Sequence, residues 1–536
     1  MSGSAAPLRW LIVGSFSATP TGRITPVSGE RFSNVMKKVG PKLGIDVTDR
    51  IGADTSRHVE LSFSRLREFR APDVIAADDT LRQLDELAGR LEKGKAAGDP
   101  AAAVERIAGP GVLASALRGE TPAAAPAPAP APTASDETPA PASSDDAPTE
   151  SPGDGIDAIF SKVAATPVSA GSESKSAVSS FIGAMRAAGS AKTTTASERD
   201  RASDAASLIR AAVRDTVTEV LDHARVRELE VAWRGLSAVV AAAPGADDMA
   251  IDLLDAEPGD AEAIDHALSR PGMDRADAVF VAWRVEQTAP LCALAQVGAR
   301  HHVPIVVEIP DSLAGLTGDN EDEPEPWAQL RSDGRAVYLA AVANPPALYE
   351  EPAPYARVRF GAAALAIGAM TAASVARTAI PADVLGGRGE WTAPAAHDIE
   401  IHGQALTIPT EAFCDVAGQQ RAAARGVIRL GSEAGRPAVR LTACPTVGGG
   451  SDAPALPGRI VAGRATRLAH QVRQEHPTAS SAELAAALDE AKGRLLPKAD
   501  TSAVALTVRT DGEDVKVDGS IGANLAGASF KFSSDV

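Results

Sequence analysis

Apolar and polar positions in the first 120 residues repeat with the periods of strands and helices. Leu8 to Phe16 reads as an apolar strand, with Trp10-Leu11-Ile12-Val13 at its centre. Arg31 to Leu43 places Phe32, Val35, Met36, Val39 and Leu43 at helical spacing. His58 to Phe63 alternates as a strand, and Pro72 opens a helix whose Val74, Leu81, Leu84, Leu87 and Leu91 share one face. Residues 1–120 are therefore expected to form an α/β domain.

The pattern stops at Thr121. From there to Gly155 the chain holds nine prolines and ten alanines, with no Leu, Ile, Val, aromatic or basic residue. Such a stretch lacks the apolar area to offset its ordering entropy, so a disordered linker over 121–155 is expected, its Ala-Pro part favouring extended polyproline II. Two short helices, Ile156 to Val163 and Ala177 to Ala188, are expected within 156–200. A long helical stretch follows from Ser197 to about Ala243. Strands over Met249–Leu254, Ala278–Trp283, Pro304–Ile309 and Ala336–Ala341 then alternate with helices, which predicts a second α/β body over 201–500. Phe360 to Ala376 is the longest uncharged stretch and is rich in alanine and glycine, which suits a buried helix better than a membrane span. In 501–536, Ala503–Val508 and Val515–Val517 flank Asp511-Gly512, a hairpin signal, and Ser529–Phe532 offers a third strand.

Composition narrows the function. The 536 residues carry a formal net charge of −17, with 53 basic and 70 acidic side chains. Phosphate backbones and anionic lipid would repel such a chain, which argues against nucleic-acid or membrane-surface binding. Three scattered cysteines, Cys292, Cys414 and Cys444, make no disulfide framework; they read as buried thiols of a cytoplasmic protein.

Candidate chemistry dissolves on inspection. Gly89 to Ala96 nearly spells a P-loop, but Ala96 stands where a metal-binding hydroxyl is needed, and the stretch ends a helix. Val447 to Ser451 reads as a flexible loop. Asp319 to Glu323 lacks the spacing of a calcium loop and reads as solvated. His301, His302, His397 and His402 form no zinc pattern and read as solvated or capping residues. The sequence contains no Gly-x-Ser-x-Gly elbow. No catalytic, cofactor or metal site is expected, and the chain reads as a structural protein rather than an enzyme.

Two regions resemble a known family. Val59 to Asp73, carrying Phe63, Phe69 and Pro72, leads to Leu81-Arg82-Gln83-Leu84. With Ile12-Val13-Gly14-Ser15-Phe16 and Arg31 to Met36, this order resembles the small sheath subunit (TssB) of type VI secretion systems. Val226 to Leu236, with Trp233-Arg234-Gly235-Leu236 at its end, resembles the large sheath subunit (TssC), as does Trp327-Ala328-Gln329-Leu330-Arg331. Departures are Ser15 in place of an acid, an arginine-free turn over Asn344–Tyr355, and Asp277–Trp283 in place of the family's strand. The resemblance implies a fused small-plus-large protomer of a contractile sheath, polymerising helically around an inner-tube protein, with baseplate components and a recycling Clp-type ATPase as further partners. That ATPase would grip one of the two short helices within 156–200. Phe63, Phe69, Pro72, Trp233, Arg234, Gly235, Leu236, Trp327 and Arg331 would be motif and assembly residues. Val504, Leu506, Val508, Val515 and Val517 would line a hairpin exchanged between protomers. Core packing with Leu229 and Leu236 also explains Trp233, and Arg234 can pair with Glu230 at i−4. The alternatives are a non-contractile scaffold or baseplate component derived from a sheath, and an α/β enzyme with an unrecognised site.

Overall fold

A computed structural model describes residues 6–94, 98–120, 198–270, 275–317, 322–401, 403–449, 455–496, 498–511 and 514–535. The expected linker 121–155 and the helices expected at Ile156–Val163 and Ala177–Ala188 lie outside the described residues. The fold is mixed α/β, as the sequence predicts. Its compact units, however, do not follow the expected boundary at residue 120. One comprises Met1–Val47, His58–Arg82 and Arg214–Val536; the other comprises Thr48–Arg57 and Gln83–Val213.

The reason lies in the first strand. A run buried on both faces must also fill both hydrogen-bonding edges, and Leu8–Gly14 does so in the middle of a seven-stranded sheet. Across the sheet the order is Val427–Arg429, Leu339–Ala343, Ile305–Glu308, Ala278–Arg284, Leu8–Gly14, Met249–Asp255 and Ile24–Pro26. All neighbours are parallel except the edge strand Ile24–Pro26. Trp10 stands opposite Ile251 on one side and Ala278 on the other. Within residues 1–120 only Lys42–Thr48 and Ser56–Ser62 pair with each other, while Leu8–Gly14 and Ile24–Pro26 belong to the sheet shared with residues 249–429.

Both faces of this sheet are covered. Leu11, Val13, Val279 and Val281 join a core with Leu291 and Leu294 of helix Thr288–His301 and with Trp327 of helix Glu325–Ser332. On the opposite face Trp10 lies 5.9 Å from Phe280, and helix Ala363–Thr378 brings Gly368 against Phe280. Helix Ala224–Ala242 packs over Ala363–Thr378, with Val239 also beside Gly368.

Local chemistry shifts several expected boundaries. Helix Phe32–Val39 stops at Gly40, which is left-handed at φ 63°, so Leu43 belongs to strand Lys42–Thr48 instead. The helix opened by Pro72 breaks into Ala71–Ala77 and Asp79–Glu92 because the Asp78 carboxylate caps Thr80 and Leu81 amides. The stretch from Ser197 breaks likewise into Glu198–Asp222 and Ala224–Ala242 at His223, whose Nδ1 accepts from the Arg225 amide. Asp333 starts a 3₁₀ turn over Gly334–Tyr338, which pushes the expected Ala336–Ala341 strand on to Leu339–Ala343.

In the second unit, Asp99 caps helix Pro100–Ala108 and Arg210 pairs with Glu92. The Val112 amide, opening helix Val112–Leu117, donates to the Gly52 carbonyl.

The terminal hairpin forms as Val504–Asp511 and Asp514–Ile521, with Phe530–Asp535 antiparallel to the latter. No helix among the described residues is long and apolar enough to cross a membrane.

Candidate assembly site

Helix Ala224–Ala242 carries the Trp-Arg-Gly-Leu motif, and each of its four residues does separate work. The Trp233 indole is fully buried, donates from Nε1 to the Phe16 carbonyl at 3.1 Å, and meets Phe16 and Phe32 edge-on. Gly235 allows the crossing of helix Ala363–Thr378: a Cβ there would stand 2.5 Å from Leu365 Cδ1 and 2.9 Å from Ala362 Cβ. Leu236 is core. Arg234 pairs with Glu230 one turn back, its Nε donating to Oε1 at 2.8 Å, and its guanidinium lies 3.8 Å over the Tyr349 ring.

Glu230 is the hub of a larger ion cluster. Its carboxylate has no solvent exposure. Oε2 accepts from Arg357 Nη1 at 2.7 Å and from Arg359 Nε at 3.0 Å. Both arginines come from strand Arg357–Phe360, where a spacing of two puts them on one face. Arg359 also donates to the Leu221 carbonyl and to Asp222. Arg357 Nη2 donates to the Phe69 carbonyl at 3.0 Å and to Glu351 Oε2 at 3.1 Å. Glu351 Oε1 in turn accepts from the Ala71 amide at 2.8 Å, at the start of the helix holding Pro72. Phe69 stacks on Phe63 with centroids 4.0 Å apart.

Electrostatics match this geometry. Burial strips water from the Arg234 guanidinium and lowers its pKa, against the pull of Glu230. For Arg357 burial acts the same way, but Glu230 and Glu351 outweigh it and the pKa rises. Burial, then the nearby Glu351, raises the Tyr349 phenol. Three guanidinium groups face Glu230, Glu351 and Asp222, so the cluster is charge-balanced.

The structure thus brings Phe69, Pro72, Trp233, Arg234, Gly235 and Leu236 to one region, with Phe63 stacked beside them. Trp327 and Arg331 lie elsewhere. Trp327 is buried and donates to the Arg425 carbonyl, while Arg331 holds Glu323 at 2.8 and 3.0 Å. In the terminal hairpin Val504, Val515 and Val517 are buried, and Leu506 and Val508 are half-buried. That sheet rests on helix Ala455–Glu475, where Gly458 leaves room for Phe530 and the Arg459 guanidinium lies 5.0 Å from the Phe530 ring.

Sequence reading missed Glu351, Arg357, Arg359 and the hub role of Glu230. The signal was present: two arginines on one face of a short strand need a buried acid. It also missed the clamp at the sheet's other end, where Asp277 holds both Arg464 and Arg467.

Several expected surface groups are structural instead. His301 is buried against Asp265 at 2.7 Å, not solvated; burial lowers its pKa. His302 caps its helix as expected, at φ 53°, while its ring meets Tyr338 and His470. His397 Nε2 donates to the Thr410 carbonyl; His402 lies outside the described residues. Cys292 is exposed, contrary to expectation, because its helix turns that position outward. Cys414 and Cys444 are buried, and burial pushes their thiols up to about 11 and about 12. Val447 and Gly448 are not a free loop: their amides donate to Leu339 and Ala336 carbonyls. Among the described residues, no group of three or more His, Cys, Asp or Glu side chains could hold a metal.

Residues 6–106 match the family model described as "Type VI secretion system, VipA, VC_A0107 or Hcp2". No curated protein matches the chain. Among solved structures, the contracted helical sheath of the anti-feeding prophage is 16% identical over 52% of this chain and 71% of its own, with a TM-score of 0.30. A chain of that prophage's baseplate is 14% identical over 56% of this chain and 75% of its own, again with a TM-score of 0.30.

Proposed function

We propose that this chain is a fused small-plus-large protomer of a contractile sheath in a type VI secretion-like injection system. One observation carries the reading: the segment that matches the small-subunit family supplies an interior strand and an edge strand of a sheet completed by residues 249–429. That is the arrangement of a two-part protomer whose parts share one core. The resemblance of residues 226–236 and 327–331 to the large subunit supports assigning the remainder to that part.

The protomer is structural, not enzymatic, and works in the cytoplasm. Copies related by a rotation and a rise form an open helical polymer around an inner-tube protein, anchored on baseplate components. The terminal hairpin, with Val504, Leu506, Val508, Val515 and Val517, exchanges between protomers by strand pairing, which gives affinity through main-chain hydrogen bonds. A Clp-type ATPase grips one of the helices expected at Ile156–Val163 or Ala177–Ala188. The net charge of −17 supports partners other than nucleic acid or anionic lipid. Ultracentrifugation of the full chain co-expressed with its inner-tube protein tests the reading. Pelletable polymer is expected; a uniformly monomeric supernatant contradicts it.

A further inference from the structure

The alanines bracketing strand Arg357–Phe360 adopt a backbone conformation that side chains disfavour. Ala356 has φ 46° and Ala362 φ 53°, in the left-handed region where Cβ crowds the following carbonyl. Between them, register against Ala347–Glu351 slips between Arg359 and Phe360. Residues persist in such conformations when their surroundings over-determine them. Backbone bonds from Ala356 to Pro352 and from Gly361 to Pro346 hold the ends, and between them the strand's own arginines are both seated on Glu230. Ala356 is exposed, so its conformation is not fixed by burial of its methyl group.

We propose that Glu230 is a positioning residue for the Phe69–Ala71 turn, acting at a distance through a strained strand. Glu230 fixes Arg357 and Arg359; Arg357 holds the Phe69 carbonyl and Glu351; Glu351 holds the Ala71 amide. With the Glu230 charge removed, strand Arg357–Phe360 relaxes toward ordinary backbone angles. The turn then loses both partners while the seven-stranded sheet stays intact. This inference goes beyond the sheath reading and does not depend on it.

Hydrogen–deuterium exchange on the full chain tests it with Glu230→Gln, Ala356→Gly and the double variant. Glu230→Gln keeps the shape of the side chain and removes its charge. Exchange at least tenfold faster is expected over 66–77 and 347–360, with 278–284 and 305–308 unchanged. Adding Ala356→Gly is expected to restore part of the lost protection, because glycine accepts a positive φ without strain. In a merely structural role, glycine would loosen the strand further. Unchanged exchange in both segments of Glu230→Gln, a uniform rise throughout the chain, or faster exchange on adding the glycine would each overturn the proposal. Should Glu230→Gln not fold, Ala356→Gly alone decides: slower exchange over 347–360 supports the strained strand, and faster exchange refutes it.

Discussion

At the residue scale, the cost of losing a charge depends on where its partner sits. Replacing Arg357 with Met leaves Glu230 and Glu351 buried with one guanidinium fewer, and removing one partner of such a network costs about 3–5 kcal/mol. Arg335, exposed beside Asp333, is the control: Arg335→Ala is expected to leave stability close to that of the wild type. Urea midpoints of the two variants check the contrast, and equal midpoints would contradict it. His302 gives a pH effect of definite sign. Burial first, then His470 and Arg467, lower its pKa from 6.5 to about 4. The unfolded chain therefore binds a proton near pH 6.5 that the folded chain refuses until about pH 4. Stability falls as pH drops through that window. His302→Asn, which tolerates the same left-handed backbone, should flatten the decline measured by thermal melts at pH 7, 6 and 5. A slope equal to wild type would show the histidine is not responsible. The sequence foretold the Arg234–Glu230 pair because i−4 spacing is local. It hid Arg357 and Glu351, whose partners are more than 120 and 270 residues away along the chain.

At the element scale, hydrophobic period predicted strand and helix types well, and side-chain caps moved their ends. Asp78, His223 and Asp333 each interrupt an apolar pattern that otherwise reads as continuous. What no local pattern states is which strand lies beside which: Leu8–Gly14 looks like the opening of a small domain and is an interior strand of a large sheet. The close crossing at Gly235 belongs to this scale too. Gly235→Ala gains roughly 1 kcal/mol of helix propensity. It also drives a Cβ into Leu365 and Ala362, and overpacking costs about 1–3 kcal/mol. A net fall in melting temperature is expected, and a rise would show that the helices part freely. Deleting residues 503–536 removes the terminal sheet while leaving all seven strands of the main sheet. Circular dichroism should stay close to that of the full chain, and pelletable polymer should vanish. Polymer from the truncated chain would exclude the hairpin as the assembly element.

At the scale of the whole molecule, strand Leu8–Gly14 of the segment matched by the small-subunit family shares a core with residues 254–447. A protease site placed between residues 121 and 155 should therefore yield two fragments that co-elute after cleavage, held by the strand pairing of Leu8–Gly14 and by the Glu351–Ala71 contact. Fragments that separate without denaturant would contradict the shared sheet. Fold class and the family matched by the first hundred residues were legible from hydrophobic period and motif order. The division into compact units was not, because it depends on pairing across more than 200 residues. Whether the chain is a sheath protomer is read by negative-stain electron microscopy of the full chain co-expressed with a candidate inner-tube protein. Hollow, striated tubes of uniform diameter are the predicted result; monomers or small closed rings would contradict it.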